Sequence, residues 1–550
     1  MKKPALIEMV DSPIMEKSSS SNPTGHEASE ETHAEPRCPI KTVLGLETCG
    51  RPLHLAPAGV DREPVCLMHS NDPAKQSGTL NEAFFREFQS ILKDAGEGEA
   101  HFDRFVFPEL NLSRKTLLPF CNFSEATFAA QANFNKATFT ALAVFYRATF
   151  TQKADFTDAT FEYHARFGEA AFRQNANFNG VTYTRIAEYR GATFAADAHF
   201  TEAIFMKYAS FKEATFGQKA NFSNAKFAGD ALFDYATFKQ DADFHFVTFN
   251  RDAIFVGTTF TGTVEYDHTK FRRVADWSYA SFLGKAEFLG TSFATVIEDE
   301  PWRASARFWR PDFYNPKDII FDDVDLSRVS FRDCDLSEVR FTSSVVWGRR
   351  NNRKAVVYEE PLDQDPSISA VSQIYQQLKK NYDAQLDYWT ANEFHFGEME
   401  MKRLAAPTKG RLLGLRRWWH RNLGMIALYR WGSDYGNNYV KPILWLLGVL
   451  VLFAALFPLS SIEFQQALPC QPGTYGAAWH TQDSGAQKLR SEAGLLGKSL
   501  LMAIDIATFQ RNSEYTPSYP WGRALAIAEN LLTSTLFALF LLAMRRQFRR

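Results

Sequence analysis

Four side chains near the start of the chain have the types and spacing of a metal site. Cys38, Cys49, Cys66 and His69 follow one another as C-x10-C-x16-C-x2-H. A C-x2-H pair can close a turn on a tetrahedral zinc ion, and two further thiolates complete a Cys3His ligand set. Because four protein ligands leave no open coordination position, we expect a structural zinc ion and no catalysis at the metal.

Other interpretations of this cluster are open at the sequence level. The thiols can stay unligated in a small loop domain, or they can carry redox chemistry. His54 can replace one of the four ligands, and Gly50 and Pro52 after Cys49 indicate a loop. The chain has six cysteines in 550 residues, which argues against a secreted disulfide framework and suits a reducing compartment.

The segments around the cluster must position it. Residues 1–36 are rich in Ser, Glu and Pro and predict a disordered tail. Residues 37–72 then form a small Cys/His module, and residues 80–98 place Phe84 and Phe88 at helical spacing. We expect this helix to cap the structure that follows, because the open end of a β-structure exposes unpaired strand edges.

An aromatic repeat fills most of residues 102–345. The stretch ATFTQKADFTDATF places Phe150, Phe156 and Phe161 at spacings of six and five, and this rhythm continues over 123–293. Neither a helix nor a strand has such a period. The chain contains 50 Phe against 19 Tyr and 11 Trp, an excess that a fixed Phe position in every repeat explains. A small residue, mostly Ala, stands two places before each aromatic.

Units such as ADFTD and ANFSN resemble those of the pentapeptide-repeat family, with one extra residue in every second unit. The resemblance implies a right-handed quadrilateral β-helix, a β-solenoid whose central Phe side chains, including the three named above, point into the core. Alternating sides of five and six residues make a 22-residue coil, so 123–293 predicts about eight coils. A run of pure fives at 321–341 predicts one more coil, after an insertion at 299–316.

The charge of the repeat bears on its partners. Residues 123–293 contain 18 Asp and Glu against 17 Lys and Arg. Some pentapeptide-repeat proteins mimic DNA and bind topoisomerases, which requires a strongly acidic rod. We therefore disfavour a DNA mimic, expect no nucleic-acid partner, and allow for a cytoplasmic protein partner on the β-helix. With no P-loop, GxSxG or HExxH motif in the sequence, we do not expect an enzyme.

Two apolar stretches near the C-terminus indicate a membrane protein. After a helical hairpin linker at 366–406, the domain at 410–550 has apolar segments at about 442–459 and 524–544. Each is about long enough to cross a bilayer core of roughly 30 Å. Arginine and lysine precede the first segment and follow the second, so the positive-inside rule predicts cytoplasmic N- and C-termini at a bacterial inner membrane.

A shorter apolar segment at about 495–509 predicts a re-entrant helix between these spans. The order of the three segments resembles the two-transmembrane-helix bacterial ion-channel family and implies a homo-oligomer. The pore-like residues are then Thr508, Phe509, Gln510, Arg511 and Glu529. Potassium selectivity is not expected, since ATFQRNSEYTP stands where a filter would have T-x-G-Y-G.

These features predict a multi-pass inner-membrane protein that is not an enzyme. A channel-like module would carry a cytoplasmic β-helix that acts as an interaction or gating platform. The alternative is a membrane-anchored protein-interaction scaffold with no transport activity.

Overall fold

A computed structural model of the chain describes residues 37–41, 43, 48–297, 299, 303–350, 353–360, 368–405, 413–457, 462–464, 497–508, 515–517 and 520–547. The tail at 1–36, for which the composition predicts disorder, lies outside these residues.

Helices lie on both sides of the repeat within the described ranges. They are α1 (Gly78–Ala95), α2 (Ile368–Ala384), α3 (Tyr388–Leu404), α4 (Leu413–Leu423), α5 (Met425–Ser433), α6 (Val440–Leu456), α7 (497–507) and α8 (Pro520–Gln547). Short 3-10 turns cover Pro73–Gln76 and Pro316–Asp318. Two antiparallel strand pairs join Gly348–Arg350 to Arg353–Val356 and Ile462–Phe464 to Tyr515–Pro517.

Between α1 and α2 the chain winds into four parallel sheets, one on each side of a solenoid of about 11 turns. Paired residues are 22 positions apart, as Ala154 is from Ala132 and Ala176. The structure therefore confirms the four-sided β-helix that the resemblance implies, and the 22-residue coil that the five-and-six rhythm then predicts.

The strands of each side, here called faces 1 to 4, are mostly two residues long. Face 1 contains Glu99–His101, Phe120–Asn122, Ala143–Val144, Ala165–Arg166, Ala187–Glu188, Ala209–Ser210, Ala231–Leu232, Ala253–Ile254, Ala275–Asp276, Ala306–Arg307 and Val329–Ser330. Face 2 contains Val106–Phe107, Thr127–Phe128, Thr149–Phe150, Ala171–Phe172, Thr193–Phe194, Thr215–Phe216, Thr237–Phe238, Thr259–Phe260, Ser281–Phe282 and Asp312–Phe313.

Faces 3 and 4 complete the solenoid. Face 3 contains Leu110–Asn111, Ala132–Asn133, Ala154–Asp155, Ala176–Asn177, Ala198–His199, Ala220–Asn221, Ala242–Asp243, Val264–Glu265, Ala286–Leu289, Ile319–Asp322 and Arg340–Phe341. Face 4 contains Thr116–Leu117, Thr138–Phe139, Thr160–Phe161, Thr182–Tyr183, Ile204–Phe205, Lys226–Phe227, Thr248–Phe249, Lys270–Phe271 and Ser292–Phe293.

The aromatic side chains form columns inside the solenoid. Phe150, Phe156 and Phe161 are fully buried. The ring of Phe156 stacks on Phe134 in the coil below at 4.6 Å and on Phe178 in the coil above at 4.8 Å, with interplanar angles of 6° and 4°. Each coil thus buries the aromatic rings of its neighbours, and the core exists only because coils stack.

The solenoid is longer than the uninterrupted rhythm predicts. It begins at the strand Glu99–His101, before the first regular Phe, and the insertion predicted at 299–316 is wrong in its second half. Ala306–Arg307 pairs with Ala275–Asp276, and Phe308 stacks on Trp277 at 4.9 Å. Ala306 and Phe308 occupy the small and aromatic slots although the inserted residues before them break the spacing.

The final coils show how register follows the repeat length. Paired residues Ala275 and Ala306 are 31 positions apart because the insertion lies between them. Ile320 pairs with Arg340 at a distance of only 20 positions, as the run of pure fives predicts. The fold therefore keeps its four sides while the number of residues per coil changes.

Two tyrosines inside the core give a test of its polarity. Tyr183 and Tyr189 occupy aromatic slots, are fully buried, and hydrogen-bond to each other through their hydroxyl groups. Tyr183→Phe leaves the Tyr189 hydroxyl without this partner, so we expect it to lower the free energy of unfolding by about 1–3 kcal/mol. The double variant Tyr183→Phe/Tyr189→Phe removes both hydroxyls and should recover most of that loss. Denaturant titration of the unaltered protein, the single variant and the double variant checks this. A double variant with a lower free energy of unfolding than the single variant would contradict it.

Candidate metal centre

Two paired segments position the first two thiols. The Cys38 amide donates to the carbonyl of Arg51 at 2.8 Å, and the Cys49 amide donates to the carbonyl of Ile40 at 2.7 Å. Gly50 has φ +62°, a conformation that glycine adopts without strain, and its amide reaches the Cys38 carbonyl at 3.3 Å. The bend at Gly50 directs the sulfur atoms of Cys38 and Cys49 to the same side of the two paired segments.

A tight turn supplies the other two ligand atoms. The amides of His69 and Ser70 both donate to the carbonyl of Cys66, at 3.1 and 3.0 Å. The C-x2-H spacing therefore brings the Cys66 sulfur and the His69 ring to the same point, as the sequence predicts.

The four ligand atoms have the separations of a tetrahedral site. All lie within 4.8 Å of one another. The Sγ atoms of Cys49 and Cys66 are 3.7 Å apart, and Nδ1 of His69 is 3.6 Å from Cys38 Sγ and 3.2 Å from Cys66 Sγ. Around zinc, bonds of about 2.3 Å to sulfur and about 2.0 Å to nitrogen give edges of roughly 3.8 Å between sulfurs and 3.6 Å between sulfur and nitrogen. The arrangement fits a zinc ion with no open position.

Neighbouring groups orient these ligands. Nε2 of His69 donates to the carbonyl of Asp103 at 3.1 Å, which leaves Nδ1 with its lone pair towards the thiols. Arg51 donates from Nη1 to the Cys49 sulfur at 3.4 Å and from Nε to Glu87 of α1 at 2.8 Å. The cluster thus has the supporting contacts that metal ligands require.

The thiols of Cys49 and Cys66 differ in acidity. A hydrogen bond from Cys66, with smaller ones from Arg51, lowers the pKa of Cys49 to about 3. Donation of that bond to Cys49, together with burial, raises the pKa of Cys66. A thiolate is therefore favoured at Cys49, and zinc would displace the protons of the remaining thiols.

His54, the alternative ligand, lies outside the cluster. Its Nε2 pairs with Asp72 at 2.9 Å, and His54 is not among the grouped ligand atoms. The tertiary structure therefore places His69, and not His54, beside the three cysteines.

The cluster is attached to the first coil of the solenoid. The His69 ring contacts Phe105 edge-on at 5.1 Å. The buried Lys75 donates to the carbonyl of Leu67 at 2.9 Å and to that of Val106 at 2.7 Å. Desolvation on burial lowers the pKa of Lys75 to about 8. The Cys/His module and the solenoid therefore share one buried boundary.

Helix α1 covers the end of the aromatic core beside this module. Phe84 meets the ring of Phe107 at 5.6 Å, and Phe88 meets Phe102 at 4.8 Å. Both helix side chains are buried. The stacked rings of the first coil are thereby shielded from solvent.

Comparison with known proteins bears on the repeat region. A family model described as pentapeptide repeats (9 copies) matches residues 114–160, 134–182 and 211–259, all within the four-sided solenoid. The chain carries a pentapeptide-repeat solenoid. No curated protein and no solved structure gives a significant match.

The pentapeptide-repeat solenoid also brings together acidic and histidine side chains that sequence analysis missed. On face 3, His245 Nδ1 is 2.7 Å from Asp243 and 3.5 Å from Glu265, and its Nε2 is 3.2 Å from Asp267. All four side chains are partly exposed. The 22-residue register places 243 beside 265, so alignment of successive coils is the signal that finds this cluster.

The predicted pore-like residues are only partly described. Thr508 follows α7, and Glu529 lies in α8, whereas Phe509, Gln510 and Arg511 lie outside the described residues. A helix is present at 497–507, but its re-entrant path is not shown. Among the described residues, the Pro520–Arg546 part of α8 is long and apolar enough to cross a membrane, and α6 is apolar but shorter.

Proposed function

We propose that this protein is a membrane-anchored pentapeptide-repeat protein without catalytic activity, whose solenoid is a platform for a protein partner. The observation that carries the proposal is a continuous series of contacts from the last coil to the base of the apolar helix α8, buried at the solenoid and partly buried at α8. Through this series, binding at the solenoid can act on the membrane segment.

The first contacts join the solenoid to α2. Asn381 donates through Nδ2 to the carbonyls of Leu336 and Val339, both at 2.7 Å. Trp347 Nε1 donates to the Tyr382 hydroxyl at 3.0 Å. These bonds close the C-terminal end of the solenoid with a helix, much as α1 closes the other end.

A buried ion pair then fixes the helical hairpin. Arg353 Nη1 donates to both carboxylate oxygens of Glu360 at 2.6 and 2.7 Å, and its Nη2 reaches the Tyr375 hydroxyl of α2 at 3.2 Å. The guanidinium also lies over the Phe396 ring of α3 at 5.2 Å. Arg353 thus contacts α2 through Tyr375 and α3 through Phe396.

Helix α3 connects this hairpin to the base of α8. Glu400 accepts hydrogen bonds from Arg403 at 2.6 Å, the Tyr435 hydroxyl at 2.8 Å and Arg430 at 3.2 Å. Arg546, near the end of α8, donates to the Tyr435 carbonyl at 2.6 Å. We call Glu400, Arg403, Tyr435 and Arg546 the basal cluster.

The basal cluster gives a direct prediction. Glu400→Ala leaves two largely buried donors, Arg403 and Tyr435, without their acceptor and should destabilise the hairpin by about 3 kcal/mol. Glu393→Ala is the matched control, because Glu393 lies on the same helix and accepts one bond, from the Lys354 amide at 3.2 Å. Hydrogen exchange of 425–435 should accelerate in the first variant only, and equal exchange in both would contradict the role of the cluster.

The surface of α8 supports insertion in a membrane. Most residues of its apolar segment are not buried, unlike those of the core helix of a soluble protein. Ile527 and Leu531 are more than half exposed. Helix α6 is about 26 Å long at 1.5 Å per residue, which is slightly shorter than the bilayer core. We expect α6 to cross the membrane beside α8.

The proposal places both termini in the cytoplasm of a bacterium and assumes homo-oligomers through these helices. Arginines at the end of α8 and in α4 and α5 favour that orientation. The Cys/His cluster would then face a reducing compartment and bind one structural zinc ion.

Membrane extraction tests the anchor. Full-length protein in a bacterial host should stay in the membrane pellet after high-salt and alkaline carbonate washes. Ile527→Lys with Leu531→Lys should release it, because a Lys near a span centre costs about 3 kcal/mol and one nearer the end of the span costs less but adds to it. Ile527→Phe with Leu531→Phe is the apolar control. Release of the unaltered protein by carbonate would overturn the proposal.

A channel is the second candidate function. The observation that favours it is the packing of α7 between the apolar helices, where Met502 and Ala503 are buried against Phe453 of α6 and Leu525 of α8. Reconstituted protein should then conduct ions across planar bilayers. Absence of conductance under voltage, tension and ligand screens would leave the anchored scaffold.

A further inference from the structure

We propose that Glu529 is a binding site for a small monovalent cation, either a proton or an alkali-metal ion, inside the α6–α8 bundle. This inference rests on the proposed membrane insertion of these helices. It adds a ligand class and a binding residue to the bundle and does not depend on conduction.

Among the described residues, the buried carboxylate of Glu529 has no hydrogen-bond partner. The residue is 0 % exposed, and neither carboxylate oxygen has a hydrogen-bond partner among the described residues. Leu525, Ala526 and Ala528, on the adjoining turn of α8, pack against a cluster that includes Phe453 and Met502. The surroundings are therefore apolar, and the carboxylate oxygens are the polar exception.

An ionised carboxylate in such a place is costly, and a neutral acid or a carboxylate paired with a cation is the state that burial favours. Besides Glu529, the ionisable side chains of the packed helices are Lys441 on α6, Lys498 and Asp505 on α7, and Arg523, Arg545 and Arg546 on α8. None of them is hydrogen-bonded to Glu529. A cation from solution is then the missing partner, in line with the functional role of intramembrane carboxylates.

An apolar cavity adjoins this part of the bundle. Thr533, one turn after Glu529, donates to the Glu529 carbonyl at 2.9 Å and lines a cavity of about 370 Å³. Thr508 and Ser534 also line it, but all three hydroxyl groups donate to backbone carbonyls of their own helices, and the other lining side chains are apolar. The cavity therefore supplies no further ligands, and the Glu529 carboxylate is the group that would take up the cation.

Asn530 holds the two helices of the site together. Its Nδ2 donates to the Ile506 carbonyl of α7 at 3.1 Å. Because Asn530 follows Glu529 directly, the contact fixes the part of α7 beside the carboxylate. The geometry therefore belongs to the packed bundle and not to an isolated helix.

Carbodiimide labelling tests the site. A neutral carboxylic acid transfers its proton to a nitrogen of the apolar carbodiimide, and its oxygen bonds to the central carbon of the reagent. The acyl group then migrates to nitrogen and gives a stable N-acylurea. Full-length protein in detergent is treated over a range of pH, with and without sodium or potassium chloride, and mapped by peptide mass spectrometry. A water-soluble carbodiimide and the partly exposed Asp505 serve as controls.

We expect the apolar reagent to label Glu529 at mildly acidic pH, the water-soluble reagent to miss it, and Glu529→Gln to abolish the adduct. Protection by sodium or potassium identifies an alkali-metal site, whereas loss of labelling on raising the pH alone identifies a proton site. Absence of labelling at every pH, or labelling equal to that of Asp505 with both reagents, overturns the proposal. Membrane extraction reports anchoring separately, so either result can fail without the other.

Discussion

Removal of zinc is expected to open the N-terminal cap of the solenoid, and Cys66→Ser is expected to prevent the ion from binding. The Cys66 sulfur lies 3.7 Å from that of Cys49 and 3.2 Å from Nδ1 of His69, and its loss removes one corner of the tetrahedron. Structural zinc contributes about 10–16 kcal/mol in finger peptides. Residues 37–72 form too small a core to fold without such a contribution.

Elemental analysis and hydrogen exchange check this expectation. The unaltered protein should carry zinc, and a strong chelator or Cys66→Ser should abolish it and accelerate exchange over 37–107. Cys121→Ala is the matched control, because Cys121 occupies a small core slot paired with Ala143. Zinc retention by Cys66→Ser, or unchanged protection after chelation, would show that the thiols do not hold the metal.

Phe156→Asp is expected to unfold the coils around it. The ring is fully buried and stacked on both sides, and loss of a buried Phe side chain alone costs about 3–5 kcal/mol. A carboxylate in the same place adds the penalty of an unpaired buried charge. Because each coil depends on its neighbours, the damage should spread to the coils that contain Phe134 and Phe178.

Limited proteolysis and denaturant titration measure the effect. Gln152→Asp places the same charge on an exposed position of the same coil and should be nearly neutral. Phe156→Leu should be much milder than Asp, because Leu326 and Leu336 fill equivalent inward slots and are fully buried. A Phe156→Asp variant as stable as Gln152→Asp would contradict the inward position of the ring.

The repeat shows which part of the fold a sequence can predict. Each coil places one large aromatic and one small residue at every side. The spacing of these residues along 123–293 therefore equals the number of residues in each side of the solenoid. Where an insertion broke the rhythm, the predicted insertion at 299–316 was too long, since Ala306 and Phe308 are recognised as core residues only by their contacts with Ala275 and Trp277.

The candidate metal site was only partly predictable from the sequence. Spacing alone suggested Cys66 and His69 as a pair, because a three-residue turn is local. It left His54 as an alternative, and only the contact of His54 with Asp72 removed it. The role of Arg51 in the support of Cys49 had no signal in the sequence, since its second contact, Glu87, is 36 positions away.

The sequence by itself determined the aromatic rhythm, the identity of the core aromatics and the apolar character of α8, and its resemblance to pentapeptide repeats implied the four sides and hence the coil length. The first three depend on composition and on spacing within one coil or one helix. The tertiary structure decided which thiols and which histidine meet, how the basal cluster joins the solenoid to α8, and that the buried Glu529 carboxylate has no hydrogen-bond partner among the described residues. Such features depend on atoms from distant segments, whose separations follow from packing and not from position along the chain.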